Sequence, residues 1–284
     1  MTPVDRLSLA YFRTIKAKSH WVMTEYGKQH AFEVPGHGPC GTIILLHGLS
    51  ARSTHFAFMV RKLRHHFGRL IVPDMLGHGK NTPPDCPIGG WDMQRTANAM
   101  LKELVPEPSV VYGNSLGGYG AIRFAADHPD RVRALIVNSP GGGPVHSMTM
   151  QAYMDRFRPS SSSDAREFVD LYFGKNVPLK RLFAIGVSRQ LNDPFIKAFM
   201  AELTEADFLN AQQLQRLEMP CLFLWGKRDQ IMLPEQLEFF KQNLPPHVQI
   251  EEPVGYGHAP YIEHPYDLSA RLMTFVNQNL AAAA

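Results

Sequence analysis

One stretch, "VVYGNSLGGYG" at residues 110–120, constrains the fold more than any other part of the chain. A β-type apolar run leads into a lone serine, and four glycines fall within residues 113–120. Glycine weakens helix and strand interiors alike. Its concentration here predicts a tight strand-to-helix turn presenting Ser115. Gly113 and Gly117 are expected to be small because the helix crosses close to the strand it has left, and Gly118 and Gly120 to relieve the same crowding. A helix starting there would place unpaired N–H groups and a positive dipole end beside the serine.

The rest of the chain supplies the sheet and helices such a turn requires. Short continuous apolar runs, "GTIILLHG", "RLIVPDM", "SVVYGNS", "VRALIVNSP", "PCLFLWG" and "VQIEEPV", alternate with helical patterns. That alternation predicts an α/β fold whose mostly parallel sheet has helices on both faces. "HWVMTEYG" and "QHAFEVP" predict an antiparallel hairpin at one edge. The chain is 284 residues long and 44% hydrophobic, enough for one sizeable core. The alternation stops after residue 140, where helical patterns follow one another without strands. Residues 1–140 and 214–284 are therefore expected to form the core, and residues 141–213 a helical insertion after the sixth strand.

Ser115 sits in G-x-S-x-G, the pattern of a nucleophile elbow. A serine hydroxyl needs a base, and the base needs a carboxylate to fix its tautomer. Of thirteen histidines, His258 in "VGYGHAPYIEHP" follows the last expected strand; His264 is its nearest competitor but begins a helix. Asp229 in "LWGKRDQIMLP" also follows its own strand. The order Ser115, Asp229, His258 predicts a catalytic triad. Gly48 in "LLHGLS" is expected to turn the chain so that the N–H of Leu49, with that of Leu116, forms an oxyanion hole. His47, Asp74 and His78 read as loop braces, and Asp164 as a helix cap. Ser50, Asn114, Arg189 and Ala259 are candidate substrate contacts. Met148, Met150, Tyr153, Met154, Phe157, Phe183 and Phe195 make the insertion rich in flexible apolar groups, which suits an acyl or aromatic substrate and for most of them equally suits core packing.

Net charge is only +3, so no nucleic-acid partner is expected. No run is long enough to cross a membrane, and basic residues interrupt any signal-peptide core near the N-terminus. Leu7, Ala10, Tyr11, Phe12 and Ile15 could form an amphipathic face that packs on its own domain or touches a membrane surface weakly. Cys40, Cys86 and Cys221 have no ligand spacing and form no even framework, which points to a reducing, cytoplasmic compartment. Neither a metal nor an organic cofactor is expected, and the sequence does not fix an oligomeric state.

The motifs "HGLS", "PDMLGHGKN", "GNSLGG", "WGKRDQ" and "GHAPYIEHP" resemble, in this order, those of the α/β-hydrolase superfamily. The resemblance implies an eight-stranded sheet, a serine triad and a variable cap after strand six. Haloalkane dehalogenases and epoxide hydrolases of that superfamily carry aspartate where Ser115 stands, so the serine implies acyl transfer to water. "GNSLGG" and "NSPGGGP" are similar to monoacylglycerol-lipase-like carboxylesterases and to C–C hydrolases of meta-cleavage products. The second group usually carries tryptophan after the histidine and a cap arginine for the substrate's acid group. Here Ala259 follows His258, and Arg189 could supply the arginine. A small-molecule carboxylic ester is the favoured substrate, with C–C bond hydrolysis or a non-catalytic ligand receptor as alternatives.

Overall fold

The computed structural model describes residues 3–173 and 180–280. Eight strands form one sheet: β1 (Lys18–Thr24), β2 (Gly27–Pro35), β3 (Thr42–Leu46), β4 (Arg69–Pro73), β5 (Ser109–Asn114), β6 (Val132–Asn138), β7 (Cys221–Leu224) and β8 (Gln249–Glu251). Their spatial order is β1-β2-β4-β3-β5-β6-β7-β8. The β1–β2 hairpin is antiparallel, as is the β2–β4 pair, and every other pair is parallel. The hairpin thus occupies the edge where the sequence places it.

Alternating side chains of the central strands serve two cores. Ile43, Leu45, Val110, Tyr112 and Ile136 pack with α1 (Pro3–Thr14), α2 (Ala57–Leu63) and the C-terminal α12 (Pro265–Leu280). Ile44, Leu46, Val111, Leu135 and Val137 pack with α3 (Gly90–Leu104), α4 (Leu116–Asp127) and α10 (Pro234–Asn243). Burial on both faces is why these strands read as unbroken apolar runs. Phe12 of α1 and Ile15 just after it are buried in the first core, so the helix docks on its own domain, although Leu7 remains 73% exposed.

Between β6 and β7 the described residues contain helices and no strand: α5 (Ser147–Asp155), α6 (Ser162–Phe173), α7 (Lys180–Leu191), α8 (Pro194–Glu202) and the short α9 (Ala211–Leu214). Phe157, Phe168, Leu191, Phe195 and Phe199 share a third cluster with Met75, Leu76 and Ile231, which follow β4 and β7. These helices therefore lie over the C-terminal ends of the strands. Helix α7 begins at Lys180, and residues 174–179 and the Phe183 side chain lie outside the described residues. Asp164 is not the cap residue of α6. It sits three residues after Ser161, and each accepts a hydrogen bond from the other's backbone N–H, a reciprocal capping box. No helix among the described residues is long and apolar enough to cross a membrane.

Candidate active site

Ser115 turns the chain from β5 into α4 with φ 56° and ψ −120°. A positive φ on a non-glycine residue is strained by about 1–3 kcal/mol, so surrounding bonds must enforce it. The Ser115 N–H donates to the Asn138 carbonyl at 3.1 Å, and the Ser115 carbonyl accepts from the N–H groups of Tyr119 and Gly141, each at 2.9 Å. The glycines give the clearance. A Cβ at Gly113 would lie 2.3 Å from the Gly117 carbonyl oxygen, and one at Gly117 would lie 2.2 Å from that of Leu46. Gly117 thus makes room for β3 instead of the preceding strand, while Gly120 meets nothing closer than 3.6 Å and relieves no crowding. Gly48 also differs from expectation. The left-handed turn falls at Ser50 (φ 56°), and Gly48 is needed because a Cβ there would lie 3.0 Å from the Ser115 Cβ.

His258 and Asp229 meet in the interior. The His258 Nδ1 lies 2.8 Å from the Asp229 Oδ2, with the side chains 2% and 0% exposed. A carboxylate only accepts, so in the neutral ring Nδ1 carries the proton and Nε2 is left as an acceptor. The other Asp229 oxygen accepts from the N–H groups of Ile231 and Met232 at 2.9 and 3.2 Å. Burial would raise the Asp229 carboxyl, but the charge and hydrogen bond of His258, the Ser139 hydroxyl and the Met232 N–H outweigh it. The group is held below the usual aspartate range.

Three residues that the sequence reading did not assign hold this arrangement together. Asn138 accepts the Ser115 N–H on its carbonyl and donates its Nδ2 to the His258 carbonyl at 3.3 Å. It is thereby the bridge between the elbow and the histidine loop. Tyr172 on α6 accepts the His258 N–H on its carbonyl at 2.8 Å and sets its ring edge-on to the imidazole at 5.0 Å. Glu263, at the end of α11 (Pro260–Glu263), accepts from the N–H of Ala259 at 3.3 Å. Burial pushes the Glu263 carboxyl up to about 7. The only sequence signals were Asn138 at a strand end and Glu263 inside "GHAPYIEHP". His264, the competing base, turns away: its Nε2 faces the Gly255 carbonyl at 3.0 Å and its ring stacks on Tyr256.

A cavity of about 450 Å³ opens onto Ser115. Leu49 and Leu116 line it beside the serine, and among the described residues neither backbone N–H has a hydrogen-bond partner. Met150, Tyr153, Met154, Phe157 and Phe199 form its apolar wall, whereas Met148 is 93% exposed and Phe195 lies outside the lining. None of Ser50, Asn114, Arg189 and Ala259 lines it. Ser50 gives its N–H to His78, Asn114 accepts from the Asn138 amide, Ala259 is fully buried, and Arg189 stands exposed on α7. His47 braces the neighbouring loop, with Nδ1 toward the Gly48 carbonyl and Nε2 accepting the Met75 N–H; burial pushes its ring down to about 3. Asp74 and His78 hold the same region, accepting from the N–H groups of Ser53 and Ser50.

Residues 43–272 match the family model described as the alpha/beta hydrolase family. The chain belongs to that family. It is 27% identical to lipase 1 of Psychrobacter immobilis over 78% of this chain and 72% of the lipase. It is 24% identical to a pimeloyl-[acyl-carrier protein] methyl ester esterase of Yersinia enterocolitica over 89% of this chain and 99% of that esterase. The solved structure of naproxen esterase (carboxylesterase NP) from Bacillus subtilis superposes with a TM-score of 0.74 at 22% identity, covering 96% of each chain.

Proposed function

We propose that this protein hydrolyses carboxylic esters through Ser115, His258 and Asp229. The observation that carries the reading is the buried His258–Asp229 pair, 2.8 Å apart, tied through Asn138 to a strained serine elbow. Ester-cleaving relatives support the reaction class. Ser115 Oγ attacks the ester carbonyl while His258 Nε2 takes its proton. Asp229 steadies the resulting imidazolium. The N–H groups of Leu49 and Leu116 donate to the oxyanion. His258 then protonates the leaving alcohol and activates water, which releases the acid. Hydrolysis by this route needs no metal and no organic cofactor.

Residues 141–213 act as the cap in this reading, and their methionine and aromatic side chains take the acyl chain. Flexible thioethers suit a chain of variable shape. Three free thiols, Cys40, Cys86 and Cys221, support a reducing, cytoplasmic setting. Arg189 stands exposed outside the cavity, whereas Arg158 lines it, so the C–C hydrolase alternative is decided by substrate turnover. A p-nitrophenyl ester series from acetate to decanoate, run beside a meta-cleavage dienone, tests the assignment. Turnover of the esters with kcat/KM rising along the chain supports it. Faster turnover of the dienone, or none of any substrate, overturns it.

A further inference from the structure

At the hairpin edge of the sheet lies a second serine–histidine–aspartate relay that plays no part in the proposed ester chemistry. Register creates it. Ser19 on β1 pairs with Phe32 on β2, and Trp21 pairs with His30, so Ser19 and His30 are diagonal neighbours on one face. The Ser19 Oγ lies 3.0 Å from the His30 Nε2, and the His30 Nδ1 lies 2.8 Å from the Asp74 Oδ2. His30 and Asp74 are 0% and 1% exposed, whereas Ser19 is exposed on the edge strand. The His30 N–H to Asn81 and its carbonyl from the Asp74 N–H lock the histidine backbone, at 2.6 and 2.9 Å.

Lys80 completes the cluster. Its Nζ donates to the Ser19 Oγ at 3.0 Å, lies 3.3 Å from the His30 Nε2 and sits over the Phe32 ring. An ammonium only donates and a carboxylate only accepts. Both neighbours therefore require the same tautomer, with the proton on Nδ1 and a lone pair on Nε2 facing Ser19. Burial would raise the Asp74 carboxyl, but its hydrogen bond to His30, the nearby His47 and the Ser53 N–H hold it down at about 2. A serine hydroxyl on such a base is an activated nucleophile.

We propose that Ser19 is a second acyl-accepting serine, modified by activated esters with His30 as base and Lys80 as oxyanion partner. The Ser19 oxygen forms a bond to the ester carbonyl carbon. His30 Nε2 takes the serine proton, and the Lys80 ammonium faces the carbonyl oxygen as it gains charge. The C–O bond to the leaving phenol breaks, and the phenolate receives the proton from His30. The product is an acyl-Ser19 ester and a free phenol. Ser19, His30, Asp74 and Lys80 all lie outside the lining of the 450 Å³ cavity, so the inference is independent of the role given to Ser115.

The test uses the full chain carrying Ser115→Ala and p-nitrophenyl acetate as probe. The expected result is a release of one equivalent of p-nitrophenol, with the acetyl group mapped to Ser19 by peptide mass. Adding Ser19→Ala removes the adduct. Adding His30→Gln slows its formation by about 10²-fold or more, the usual contribution of a general base. Ser19→Ala in the otherwise native chain keeps esterase turnover, which shows that the variant folds. Acetylation of Lys80 in place of Ser19, or acetylation of Ser19 no faster than of the exposed Ser161, overturns the proposal.

Discussion

Ser115 holds a positive φ under three backbone hydrogen bonds to its own N–H and carbonyl, and it lines a cavity instead of a core. Ser115→Ala should therefore keep the fold and lose on the order of 10⁴-fold or more in kcat. Retained turnover in that variant would move the nucleophile elsewhere. Asp229 has two jobs on its two oxygens. One takes the N–H groups of Ile231 and Met232, the other faces His258. Asp229→Asn should preserve the first and place the wrong tautomer at His258, for a loss of roughly 10⁴-fold in kcat by analogy with serine proteases. Near-normal kcat in Asp229→Asn would leave that side chain as a turn brace alone.

At the scale of elements, the sequence was informative wherever local chemistry decides the outcome. Apolar runs buried on both faces announced the central strands, and the glycine spacing around Ser115 announced the elbow. What depends on register or on long-range packing was not legible. The Ser19–His30 contact arises from a diagonal across the hairpin, and the Tyr172 carbonyl reaches His258 from 86 residues away in sequence. Which way Ser50, Asn114, Arg189 and Ala259 face is likewise set by tertiary partners, and none of the four lines the cavity. Tyr172 also changes what removal of the insertion should do. Gly142 and Leu209 are already joined by an N–H···O bond of 2.7 Å, so a short Gly-Ser bridge could replace residues 145–208. It would delete the acyl wall and the brace on His258 together. We expect kcat to fall and the chain-length dependence, up to about 0.8 kcal/mol per methylene, to flatten. Flattening with an unchanged kcat would show that the Tyr172 carbonyl does not matter to the base. Gly117→Ala should cost about 1–3 kcal/mol in stability by forcing α4 off β3, read as a lower midpoint in urea.

For the molecule as a whole, Glu263 links stability to pH. Its carboxyl titrates near 7 in the folded chain, against about 4.3 unfolded. The folded state holds the proton more tightly, so this contribution is fully present below about pH 4.3 and is lost as pH rises through about 7. Glu263→Gln keeps a carbonyl acceptor for the loop and cannot ionise. Its melting temperature relative to the parent should therefore climb between pH 5 and pH 8. A difference that stays constant across that range would show that Glu263 titrates as an ordinary surface carboxyl.

Each proposed catalytic side chain follows a different strand, β5, β7 and β8, and His258 comes last of the three in chain order. A fragment that stops before residue 258 would lack the proposed base, which docks beside strands that come far earlier in the sequence. Contacts so distant in sequence close slowly. Ester turnover is in consequence a clock for the end of folding: in a refolding experiment it should start only after the helical signal has largely returned.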